Sequence, residues 1–245
     1  MSALKRRADV VLVERGFFDS RARAQEAIAA GLVTCNGQPL RKASQSIDAD
    51  AAITAEAPHP WVSRGGVKLE AALDAFGLSP QGLTVLDLGA STGGFTQVSL
   101  ARGAAHVFAA DVGHSQLHPL VAGDPRVTNL ESTDARQLAA LEPPLPPISF
   151  VSVDVSFISL KLVLPPVMPL LAPGAQLAAL IKPQFEAGRA HVAKGIVRDS
   201  AVQERVCDEI SALLVSLGLT IIGLIPSPIA GGDGNREFLI GARLP

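Results

Sequence analysis

Thr84-Val-Leu-Asp87-Leu-Gly89-Ala90-Ser91-Thr92-Gly93-Gly94-Phe95-Thr96 is a short apolar run that carries one acid and breaks into a glycine-rich turn. Val85, Leu86 and Leu88 suit a strand buried on both faces. The glycines let the chain turn sharply and lie against a ligand where a Cβ would collide. The spacing is Asp-x-Gly-x-x-x-Gly, whereas a dinucleotide fingerprint reads Gly-x-Gly-x-x-Gly. The missing glycine and the leading Asp87 favour S-adenosylmethionine over a nicotinamide dinucleotide. Asp87, Gly89, Ala90, Ser91, Thr92, Gly93, Gly94, Phe95 and Thr96 are therefore the candidate cofactor loop.

Downstream, strand and helix patterns alternate, as in a parallel sheet wound on both faces. Strands are expected at Val85–Leu88, His106–Asp111, Val127–Leu130, Ser149–Val153, Gln176–Ile181, Thr220–Pro226 and Arg236–Arg243, with a helix from Asp199 to Leu217. The last two strands suggest an antiparallel ending, which suits a seven-stranded Rossmann-like methyltransferase sheet and not a dehydrogenase. Upstream, Val67–Gly77 reads as an amphipathic helix with Leu69, Leu73 and Phe76 on one face.

Strand ends also supply acids. Asp111 closes the second strand, where it could accept hydrogen bonds from ribose hydroxyls. Asp134, followed by Ala135, comes after the third strand and could accept from an adenine amine. Each acid alone could cap a turn; their recurrence at consecutive strand ends argues for one ligand. Asp154 ends the fourth strand and Lys182 the fifth. A lysine there either extends to solvent or serves an active site by handling a proton or stabilising an oxyanion.

The bulk composition fits a globular protein, with 48% hydrophobic and 18% charged residues and a net charge of −2. The two cysteines, Cys35 and Cys207, are far apart and lack metal-site spacing, so no metal is expected and a cytoplasmic location fits best. The opening residues have no uninterrupted apolar stretch of the kind a secretory signal needs. Residues 162–181 are free of charge and match the ~20 residues of a membrane span. Pro165, Pro166, Pro169 and Pro173 instead predict a short helix, a turn and a buried strand.

Residues 1–42 carry eight Lys or Arg against four acids, while the remainder carries thirteen against nineteen. A basic front on an acidic chain suggests a polyanionic partner. Within it, Asp9–Arg15 reads as a short helix with apolar Val10 and Val13. Arg21–Ala30 reads as a second helix with Ala24, Ala27 and Ile28 inward and Arg21 and Arg23 outward. Val33–Cys35, the Asn36-Gly37 turn and Leu40–Lys42 read as a hairpin, and residues 46–53 as a further strand. Residues 1–57 form the expected first domain, 58–66 a proline-stiffened linker and 67–245 the second domain. Trp61 is expected to pack at the junction, by burial or by stacking on RNA.

Arg15-Gly16, Ser20-Arg-Ala-Arg-Ala24, Gly31, Asn36-Gly37, Lys42 and Asp48 resemble the S-four-type RNA-binding domain, a small α+β fold, although Arg7-Ala8-Asp9 replaces its usual Arg-Leu-Asp. Arg6, Arg7, Arg21, Arg23, Arg41 and Lys42, with Arg64 in the linker, are the candidate RNA contacts. Ser63-Arg-Gly-Gly-x-Lys68-Leu69, the Asp87–Thr96 loop, Asp154-x-Ser156-Phe157-Ile158-Ser159, Lys182-Pro-Gln-Phe-Glu186 and Asn235-Arg-Glu237-Phe238 together resemble the TlyA family. That resemblance implies an FtsJ-like ribosomal RNA 2′-O-methyltransferase using S-adenosylmethionine. It also implies a Lys-Asp-Lys-Glu tetrad at Lys68, Asp154, Lys182 and Glu237, with cytidine in ribosomal RNA or an assembled subunit as target. A membrane-active haemolysin and a noncatalytic RNA-binding factor are the competing readings.

Overall fold

The computed structural model describes residues 5–245 and divides into two compact units, one ending at Pro60 and the other running from Trp61 to Pro245. Residues 1–4, the start of the stretch read for export, lie outside the described residues.

In the smaller unit, β1 (Lys5–Arg7) leads into α1 (Ala8–Glu14), and Ser20 caps α2 (Arg21–Ala29) by accepting from the Arg23 amide. Next come β2 (Val33–Cys35), β3 (Gln38–Pro39), β4 (Ser46–Asp48) and β5 (Ile53–Ala55). β1 pairs with β4, and β2 lies between β3 and β5. Three sequence expectations change. The buried face of α1 holds Ala8, Val11 and Leu12 rather than Val10 and Val13, because helical spacing aligns that set with Ala24, Ala27 and Ile28. The hairpin returns through Gln38–Pro39, and Leu40 still donates its amide to Val33 O at 2.9 Å while its side chain enters the core. Residues 46–53 do not form one strand: a turn closed by Ala51 N–H donating to Asp48 O sends β4 and β5 into different sheets.

The larger unit begins with α3 (Gly65–Phe76), β6 (Thr84–Leu88), α4 (Gly94–Ala101), β7 (His106–Ala110), α5 (Pro119–Ala122) and β8 (Val127–Leu130). It continues with β9 (Ile148–Val153), α6 (Leu160–Val167), β10 (Leu171–Ile181), α7 (Pro183–Glu186), α8 (Ser200–Ser216), β11 (Thr220–Pro226) and β12 (Phe238–Arg243). The sheet order is β11-β12-β10-β9-β6-β7-β8, and β12 runs antiparallel to both neighbours. Residue parity assigns each strand's side chains to one face or the other. Val85, Phe150, Leu180 and Leu239 pack with Leu69, Leu73 and Phe95 of α3 and α4. Leu86, Val151, Ile181 and Ile240 pack with α6 and α8 on the opposite face.

The apolar stretch at 162–181 is divided among α6, a 3-10 turn and β10, and among the described residues no helix is long and apolar enough to cross a membrane. Trp61 is buried in the larger unit's core and donates from Nε1 to Glu70 at 3.3 Å, so it is not presented for stacking on RNA. β6 pairs with β7 on one side and β9 on the other, which makes its carboxyl end the point where the strand order reverses. In open α/β sheets that crevice is where ligands bind.

Candidate active site

The crevice is shaped by a backbone contact that only glycine permits. Gly89 follows β6 at φ +81°, and a Cβ built on it would lie 2.5 Å from the Asp154 carbonyl oxygen at the end of β9. Asp154 N–H donates to Leu88 O at 2.9 Å, so the two strand ends are clamped together. At Gly94 a Cβ would collide with Ser63 Oγ, which brings the Trp61–Arg64 segment against α4.

Two cavities open here. The larger, about 600 Å³, is lined by Asp111, Val112, Asp134, Ala135, Ile158 and Val163, among others. The smaller, about 290 Å³, is lined by Lys68, Lys182, Glu237, Arg64, Gln184 and Phe185, among others. Gly89, Ser91, Asp154, Ser156 and Phe157 belong to both walls.

The glycine loop divides into residues that face the cavities and residues beneath them. Gly89, Ala90, Ser91, Thr92, Gly94 and Phe95 line the smaller cavity. Asp87, Gly93 and Thr96, expected on the ligand face, do not line either cavity. Asp87 is fully buried and accepts from Thr96 Oγ1 at 2.6 Å and from Ser152 Oγ at 2.8 Å. It therefore ties α4 and β9 to β6. A Cβ on Gly93 would press on Leu117 and Val121.

Burial pushes the Asp87 carboxyl from an ordinary 3.8 up to about 6, against the two hydroxyls that favour its charge. A folded-state value above the unfolded one means that Asp87 stabilises the fold below pH 3.8 and that this stabilisation is lost as pH rises through about 6. Relative to Asp87→Asn, the wild-type protein should lose about 3 kcal/mol over that window. Urea unfolding of both proteins at several pH values measures it, and parallel profiles would contradict the assignment.

Asp111 accepts from the amides of Ser91 at 2.8 Å and Gly113 at 2.7 Å, one on each oxygen, leaving lone pairs for a ligand's hydroxyls. Asp134 is held by Arg136 through hydrogen bonds of 2.5–3.0 Å, which lower its carboxyl below the usual range. Beyond the shared Asp154, the larger cavity thus offers two carboxylates beside apolar side chains. That suits a ribose and a purine amine.

The four tetrad residues meet at the smaller cavity. Lys68 Nζ donates to Glu237 Oε2 at 2.5 Å, and both side chains are buried. Lys182 Nζ lies 2.6 Å from Asp154 Oδ1 and donates to Ser156 Oγ at 2.8 Å. Ion pairs out of water resist loss of one partner, which strands the other charge. Ser156 and Phe157 were not among the expected site residues, although they stand two and three positions after Asp154. Phe157 is 91% exposed at φ +65°, a conformation costly for an aromatic residue, with its ring centroid 5.1 Å from that of Phe185.

The candidate RNA contacts fall in different places. Arg6 forms a two-pronged ion pair with Glu14, while Arg7 and Arg21 converge on the buried Asp9 carboxylate. Arg23 is largely covered, donating to His59 O, and so is not outward as expected. Arg41 and Lys42 are exposed. Arg64 lines the smaller cavity beside Gly232 and belongs to the catalytic unit.

The FtsJ-like methyltransferase family matches residues 61–244 and the S4 domain matches residues 6–53. The 16S/23S rRNA (cytidine-2′-O)-methyltransferase TlyA of Mycobacterium tuberculosis is 41% identical, with 98% of this chain and 91% of that protein aligned. Hemolysin A of Brachyspira hyodysenteriae is 37% identical, with 95% of this chain and 98% of that protein aligned. A solved Streptococcus thermophilus structure carrying a hemolysin name superposes with a TM-score of 0.77 at 42% identity, covering 99% of this chain and 90% of the other. The chain therefore belongs to the FtsJ-like methyltransferase family, in its TlyA branch, with an S4 domain ahead of the methyltransferase domain.

Proposed function

We propose that this chain methylates a ribose 2′-oxygen of ribosomal RNA, at a cytidine, acting on folded RNA or an assembled ribosomal subunit in the cytoplasm. The observation that carries this reading is the placement of Lys182 in a polar cavity open to an acceptor, held by Asp154 and Ser156, which also line the cavity suited to an adenosyl group. Methyltransferases of this family use S-adenosylmethionine. Asp111, Asp134, Ala135 and the exposed part of the glycine loop would hold it. When bound, it supplies an electrophilic methyl group on a positively charged sulfur.

The chain's own task is to align the acceptor and manage its proton. Lys182 meets the 2′-oxygen, taking up its proton or lending positive charge as negative charge develops there. Asp154 fixes the lysine's direction, and Ser156 holds the same nitrogen from a second side. Lys68 and Glu237 form a neutral, rigid wall against which the ribose rests. Phe157 offers a solvent-facing ring on which the target base stacks. Phe157→Ala should weaken RNA binding by about 1–3 kcal/mol with little change in thermal stability, since the ring is mostly exposed. Unaltered RNA affinity would remove Phe157 from the site.

Ribosomal subunits incubated with the protein and methyl-labelled S-adenosylmethionine test the reaction itself. Label should appear in RNA at a linkage resistant to alkali, because a 2′-O-methyl group removes the nucleophile that alkali needs. Label confined to a base, or absent from RNA, would contradict the reading.

A further inference from the structure

Outside the S4 domain the chain carries more acids than bases, yet residues 188–198, Gly-Arg189-Ala-His191-Val-Ala-Lys194-Gly-Ile-Val-Arg198, contain three permanent cations and no acid. Arg189, Lys194 and Arg198 are all exposed. Most other bases of this unit are neutralised: Arg102 by Asp74, Arg126 by Asp124, Arg136 by Asp134, Lys161 by Glu209. None of the three loop cations has a carboxylate within the 4.0 Å of an ion pair among the described residues.

The loop is also built to hold its shape. Ala193 and Ile196 exchange backbone hydrogen bonds of 3.0 Å around Lys194 and Gly195, at φ +51° and +79°. That is a two-residue hairpin turn, and it holds a lysine where glycine or asparagine is favoured. Asn235, 1% exposed, accepts from Val197 N–H and donates to Gly195 O at 2.8 Å, while Gln203 donates to Val197 O at 2.8 Å. The loop's own residues do not line the smaller cavity, but its neighbours on both sides do. The loop begins just after Gln184 and Phe185, and its far half is fastened through Asn235 to the turn that carries Gly232, Asp233 and Glu237.

We propose that residues 188–198 form a phosphate-binding rim that grips the backbone of the substrate RNA beside the acceptor nucleotide, separately from the S4 domain. Unpaired, pre-shaped cations on a loop fastened to the elements that wall a polar cavity fit a polyphosphate chain, because each contact releases counterions. The proposal rests on the RNA methyltransferase reading above.

The test compares wild type with Arg189→Gln/Lys194→Gln/Arg198→Gln, using ribosomal subunits and methyl-labelled S-adenosylmethionine. A control, Arg102→Gln/Arg126→Gln/Arg205→Gln, removes the same charge from positions that are already paired. The loop variant should bind S-adenosylmethionine as wild type does and keep kcat at saturating RNA. Its KM for RNA should rise by at least about tenfold at low salt, and the salt dependence of binding should flatten by about two to three phosphate contacts. The control should change neither by more than about threefold. Equal losses in loop variant and control, or none in either, would overturn the rim while leaving the methyltransferase reading intact. A wild-type protein that binds S-adenosylmethionine but methylates no RNA would overturn both. Loss of binding to anionic phospholipid vesicles with RNA affinity unchanged would assign the loop to a membrane and overturn the proposal.

Discussion

Lys182→Ala should retain S-adenosylmethionine binding and lose methyl transfer by about 10²–10⁴-fold in kcat, the range expected when a positioned acid or base is removed. The lysine lines the polar cavity and is absent from the wall of the larger one. Its deletion leaves Asp111, Asp134 and the glycine loop undisturbed. The Asp154 oxygen that faces the lysine is buried, but about a fifth of the side chain reaches solvent, which limits the cost of losing its partner. Calorimetry with S-adenosylmethionine separates loss of chemistry from loss of fold, and single-turnover transfer to RNA measures the defect. A variant that binds the methyl donor and turns over at the wild-type rate would remove Lys182 from the mechanism. Collapse of donor binding together with activity would assign it a structural role.

Gly89→Ala should destabilise the protein by roughly 2–5 kcal/mol, summing left-handed backbone strain and overpacking. The new methyl would lie 2.5 Å from a backbone oxygen of Asp154, which has no rotamer by which to retreat. Relief requires spreading β6 from β9, so donor binding should fall along with stability. Gly174→Ala provides the contrast: its φ is +78° and nothing lies within 4 Å of the added carbon, so only the strain of about 1–2 kcal/mol remains. Urea unfolding of the two variants checks the difference. Equal destabilisation would mean that the clamp between the strand ends is not tight.

The catalytic sheet was legible because fully buried strands are apolar runs interrupted by Pro, Gly and Asp, and these punctuate residues 84–243 clearly. The two edge strands, Thr220–Pro226 and Val127–Leu130, are not fully buried, yet they too have the ends read from sequence. The S4 domain was harder to delimit, because its strands span two or three residues and take their register from tertiary pairing. Nothing local in residues 46–53 announces that β4 and β5 join different sheets. Spacing likewise cannot tell a loop residue that faces a cavity from one below it. Asp87 and Thr96 stand nine positions apart and satisfy each other. Lys68 and Glu237, 169 residues apart, could be paired only by family resemblance before the fold was seen. Net charge exposed the basic front but not its internal neutralisation, in which one buried carboxylate, Asp9, takes up both Arg7 and Arg21. The sequence reading did not single out the cations of residues 188–198; their significance comes from the absence of partners and the fastening by Asn235.

The proposed acceptor of the methyl group is a ribose 2′-oxygen of ribosomal RNA. Mapping 2′-O-methyl positions in ribosomal RNA from cells with this protein, without it, and with Lys182→Ala in its place tests that most directly. One or more cytidines should carry the modification only in the presence of the wild-type chain. Identical maps in all three would mean that this chain does not methylate ribosomal RNA at a 2′-oxygen.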